Sequence, residues 1–145
     1  MTAVSRKRII ISCVLICSAV FIARGAGSAG AEEKAHVTTI VVQDMQDGIS
    51  PAAVTVKRGD TVVWYNQGKA PAAISVKQRI GIVCSPLVNF NADPAGNYKT
   101  GALPHGSTAS LCFLFPGEYH YTVRWMNAKG DNVSGETVAG KVIVK

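Results

Sequence analysis

Beyond residue 31 the chain has few of the residues from which most chemistry is built. Only two cysteines remain there, Cys84 and Cys112, and the three histidines, His36, His105 and His120, stand far apart. No Cys or His recurs at the short spacing that a zinc cluster needs. Ser107 and Ser110 neighbour His105, but no acid context or strand-to-helix elbow accompanies them, so a hydrolase triad has no support and no enzymatic activity is expected. No segment of helical period is present, and no apolar run reaches the roughly 17–25 residues of a membrane-spanning helix. Strong basicity is also missing once the N-terminus is set aside. The formal charge of +6 includes Arg6, Lys7, Arg8 and Arg24, and without them eleven basic residues face nine acidic ones. A nucleic-acid partner is therefore not expected.

What is present begins with a targeting segment. Arg6-Lys7-Arg8 precedes a 15-residue apolar and small stretch, Ile9–Ala23, and then small residues ending in Ala29-Gly30-Ala31. That order is the basic, apolar and cleavage region of a secretory signal. We expect residues 1–31 to be the signal and 32–145 to be one exported domain, periplasmic or extracellular, touching a membrane only through the signal during export. A retained anchor is the alternative, and Ile10-Ile11-Ser12-Cys13 only faintly resembles a lipoprotein signal. The 114 residues left suffice for one core and not for two. Cys84 and Cys112 are then the only pair in an oxidising compartment, and a disulfide is the expectation, with metal-binding thiolates as the alternative.

From His36 onward, β-branched runs alternate with turns. Strands are expected at His36–Gln43, Ala53–Lys57, Thr61–Asn66, Ala73–Val76, Ser107–Phe113, Tyr119–Trp125 and Val138–Val144. Residues 77–106, rich in Pro and Gly, read as a long connection with Tyr98 as a loop anchor, and Asn127–Gly135 as a polar hairpin tip. Along Tyr119–Trp125 the residues Tyr119, Tyr121, Val123 and Trp125 face one way and His120, Thr122 and Arg124 the other. With Trp64, these aromatics are expected in the core, although Trp125 and Met126 could instead form an exposed apolar patch. Asn132-Val133-Ser134 fits a glycosylation sequon. Seven or eight such strands predict an all-β, antiparallel Greek-key sandwich.

Val54-Thr55-Val56-Lys57-Arg58-Gly59-Asp60-Thr61-Val62-Val63-Trp64-Tyr65-Asn66, the segment Phe115-Pro116-Gly117-Glu118-Tyr119-His120-Tyr121 and the closing Gly140-Lys141-Val142-Ile143-Val144 resemble the cupredoxins, the plastocyanin, amicyanin and pseudoazurin family. The resemblance implies a cupredoxin-like sandwich with a copper site at one end. It also implies where the ligands would fall. The first histidine, after the proline matching Pro71, is Ala72 here; the cysteine is Val123; the second histidine falls near Met126. Similarity around Gly106–Phe113 to cupredoxin-like proteins with an earlier cysteine favours the Cys84–Cys112 bridge. A type 1 site needs two imidazoles and a thiolate, so the expectation is a copper-free binding or interaction module without a cofactor, for an unidentified protein or small-molecule partner. Its contact surface would be the end loops, around Pro71, Trp125 and Met126 with Lys69 and Arg124 at the rim. The alternative is a copper-binding or electron-transfer protein using non-standard ligands, for which His105 and His120 are the candidates.

Overall fold

Alternating burial is what turns the short β-branched runs into sheets. In Thr61–Asn66 every second side chain, Val62, Trp64 and Asn66, is buried, and Gly117–Met126 buries Tyr119, Tyr121, Val123 and Trp125 in the same way. A computed structural model describes residues 34–80, 87–127 and 132–145. The expected signal, residues 1–31, and Cys84 lie outside them. Ten strands and no helix occur among the described residues: β1 Val37–Val42, β2 Ile49–Ser50, β3 Ala53–Val56, β4 Thr61–Asn66, β5 Ala72–Val76, β6 Phe90–Ala92, β7 Tyr98–Thr100, β8 Thr108–Cys112, β9 Gly117–Met126 and β10 Asn132–Val144.

They form a four-stranded sheet in the order β2-β1-β4-β8 and a six-stranded sheet in the order β3-β10-β9-β5-β7-β6. The pairing is mixed, which corrects the all-antiparallel expectation. Strand β1 runs parallel to β4, from Val37 opposite Thr61 to Val42 opposite Asn66, and β3 runs parallel to β10. The cause is a change of sheet. After β2 the chain crosses to the second sheet for β3 and returns for β4, so β1 and β4 are sheet neighbours joined by no hairpin.

The return is made by Lys57-Arg58-Gly59-Asp60. Gly59 takes a φ of 86°, which costs a glycine little, and Asp60 N–H donates to the Lys57 carbonyl at 3.1 Å. The buried Asp60 carboxylate accepts the backbone N–H groups of Lys57 at 2.8 Å and His36 at 2.9 Å. Burial pushes its pKa up, but these two bonds and the neighbouring positive charge outweigh that and hold it below the ordinary 3.8.

Residues 77–106 are more regular than expected. Strands β6 and β7 form a hairpin whose tip is held by Asp93, which accepts from Asn97 N–H and Nδ2, both at 2.9 Å. Tyr98 lies in β7 rather than anchoring a loop, and β7 extends the second sheet from β5. Val88 bridges to Ser110, tying this segment to the edge of the first sheet as well. At the other hairpin, β10 already begins at Asn132, so the polar tip is shorter than expected; residues 128–131 lie outside the description.

The two sheets meet face to face over one core. Trp64 on β4 stands edge-on to Phe90 at 5.5 Å and to Tyr121 at 5.3 Å, and Phe113 packs on Tyr119 at 5.1 Å. Such tilted pairs add about 0.5–1.5 kcal/mol each beyond the area they bury.

Candidate functional site

The end of the sandwich that carries the matched ligand positions is built from the ends of β4 and β9, the start of β5 and the loops between them. Asn66 ends β4 and is fully buried. Its Nδ2 donates to the carbonyls of Ala70 at 3.0 Å and Leu103 at 2.8 Å, and its Oδ1 accepts Gly68 N–H at 3.1 Å. Its backbone accepts from Gly106 and donates to Ser107. One side chain thus ties together the loops that lead into β5 and β8.

Gly68 is needed because the chain passes so close there. A Cβ at this position would sit 2.5 Å from the Gln43 carbonyl oxygen. That same oxygen accepts the indole N–H of Trp125 at 2.9 Å. Trp125 is only 1% exposed and pairs with Ala72 across β5 and β9. The reading of Trp125 as part of an exposed patch is therefore corrected: β9 alternation turns it inward, and its one polar atom is satisfied by Gln43. Pro71 and Met126 remain half-buried at the end surface, with Met126 N–H donating to the Pro71 carbonyl at 2.8 Å and with Lys69 and Arg124 exposed beside them.

Ala72 and Val123 have no exposed surface; both sit in the core, Val123 opposite Ile74. Met126 lies on the other face of β9 from Val123 and Trp125. The three matched positions thus neither carry ligating groups of the expected kind nor share a face. This donor set does not fit type 1 copper.

The alternative candidates are placed apart. His105 Nδ1 lies 3.1 Å from the Gln67 carbonyl and 3.2 Å from that of Gly68. Carbonyls only accept, so Nδ1 carries the proton and Nε2 is the basic nitrogen. His120 lies on the outer face of β9, its Nε2 3.1 Å from Glu118 Oε1, and Lys141 Nζ lies 3.3 Å from the same oxygen. Six residues of strand, roughly 20 Å at 3.3 Å each, separate His120 from Met126. No group of three His, Cys, Asp or Glu side chains gathers among the described residues. Asn66, Gly68 and Gln43, which organise this end, were not singled out from the sequence; the Asn-Gln-Gly run that begins at the last residue of β4 was the available signal. Cys112 is buried on β8.

The described residues thus form an all-β sandwich of two sheets. Neither a protein-family model nor a curated protein matches the chain. Solved structures with a similar fold include amicyanin from Paracoccus versutus, 22% identical over 81% of this chain and 87% of that one with a TM-score of 0.48. A purple cupredoxin from Nitrosopumilus maritimus is 17% identical over 74% of this chain and 99% of that one, with a TM-score of 0.47.

Proposed function

We propose that this is an exported, copper-free cupredoxin-like domain, non-catalytic, that acts as a binding module through its end loops. The observation that carries the reading is the burial of Ala72 and Val123 in the apolar core, beside an indole whose N–H is already bonded to Gln43. Apolar side chains at these two positions give a copper ion neither imidazole nor thiolate. What remains at that end is a surface of Pro71 and Met126 rimmed by Lys69 and Arg124, held rigid by Asn66. Loops fixed on a rigid sandwich are where such folds place recognition.

Metal analysis and visible spectroscopy after addition of copper test the proposal. No stoichiometric copper and no intense copper–thiolate absorption are expected. A coloured protein with one copper per chain would overturn it. Colourless copper lost on His105→Ala would instead favour the second reading, copper held through non-standard ligands, since His105 offers Nε2 at the same end as Met126.

A further inference from the structure

The opposite end of the sandwich carries a different set of groups. Here the chain enters β1, turns from β3 to β4, turns from β8 to β9 and leaves β10. Backbone bonds hold these pieces together: Thr61 N–H donates to the His36 carbonyl at 2.9 Å, Gly59 N–H to Phe113 at 2.8 Å and Lys145 N–H to Val56 at 3.0 Å.

Two large apolar side chains are left outside the core at this end, Val37 at 66% exposed and Phe115 at 56%. Phe115 is held outward by its own turn. Its carbonyl accepts the Tyr119 hydroxyl at 2.9 Å, while Phe113, two residues earlier, occupies the core. Around them stand exposed cations. Arg58 donates from Nε to the Leu114 carbonyl at 3.0 Å, which sets its guanidinium beside the Phe115 turn. Lys34, Lys57 and Lys145 are exposed at the same end, and a groove of about 540 Å³ opens among His36, Val37, Lys57 and Lys145. The acids nearby are engaged: Asp60 is buried on two backbone N–H groups, and Glu118 is bonded to His120 and Lys141.

Exposed aromatic and aliphatic side chains ringed by Lys and Arg match an anionic bilayer surface, where the rings enter the headgroup layer and the cations meet lipid phosphates. We propose that this end docks on an anionic lipid bilayer, with Phe115 among the headgroups and Arg58 and Lys145 against phosphate. The inference departs from the expectation that membrane contact ends with export, and it stands apart from whatever the loops at the other end bind.

The test uses the full chain carrying Phe115→Trp, with vesicles containing brominated-chain lipid. Trp64 and Trp125 are buried, so an indole at position 115 is the one exposed to solvent among the described residues. With phosphatidylglycerol in the vesicles its emission should shift to the blue and be quenched, and with phosphatidylcholine alone it should not. Arg58→Gln and Lys145→Gln should each lower the docked-to-free ratio roughly fivefold. A probe at the other end, Lys69→Trp, should stay unquenched. Equal quenching in neutral vesicles, no quenching at 115, or quenching at 69 instead would each overturn the proposal.

Discussion

Tyr121 is the residue whose surroundings are least comfortable. Its hydroxyl and the indole N–H of Trp64 are buried without a hydrogen bond that meets ordinary geometry, although the two rings touch edge to face. Burial pushes the phenol up to about 12, and the nearby Trp64 N–H draws it back only in part. The neutral phenol is thus the form the fold accepts. Its stabilising share is whole below the ordinary value of 10 and is lost as pH rises from there through about 12. Tyr121→Phe should remove that alkaline loss in denaturant titrations run across pH 9–12. At neutral pH it should cost nothing or gain about 1 kcal/mol, because an unbonded buried hydroxyl is removed. A loss of more than about 2 kcal/mol would mean that the hydroxyl does accept from Trp64.

Between elements, β9 and β10 approach closely at Gly140. Gly140 faces Tyr121 across the ladder, and a Cβ there would lie 2.3 Å from the ring's Cζ and 2.7 Å from the Ala52 carbonyl. Neither neighbour can yield, one being a packed ring and the other backbone. Gly140→Ala should therefore cost about 3 kcal/mol or more, at or beyond the upper end for overpacking. Denaturant midpoints would measure it, and a double-mutant cycle with Tyr121→Leu should show strong coupling; additivity would mean that the ring is not the obstacle. The long strands were legible in the sequence because Val62, Trp64 and Asn66 on β4, and Tyr119, Tyr121 and Val123 on β9, recur with period two. Strands β2, β6 and β7, of two or three residues each, hold too few residues to show a period. Parallel pairing was illegible for another reason: alternation tells which face a residue takes, not which strand lies beside it. At the candidate site the missing ligands at Ala72 and Val123 could be read directly. The inward turn of Trp125 was foreseen by alternation, whereas its bond to Gln43, 82 residues away, could not be.

At the scale of the whole molecule, the segment after β5 clasps the two sheets, through β7 on one and Val88 on the other. Cys84 lies outside the described residues, and the Cys84–Cys112 bridge is proposed from the sequence. Reduction should lower stability by about 2–5 kcal/mol, as for small secreted domains, read as a fall in Tm; two free thiols in a non-reducing mass measurement would refute it. The parallel pairing of β3 with β10 carries a further consequence. Ala53 to Val56 wait for Lys141 to Val144, strands separated by most of the domain. Until β10 has been made, the larger sheet has a gap between β3 and β9, and pairings that distant form slowly. A chain synthesised from its N-terminus therefore carries β3 as an edge without its partner through most of its synthesis.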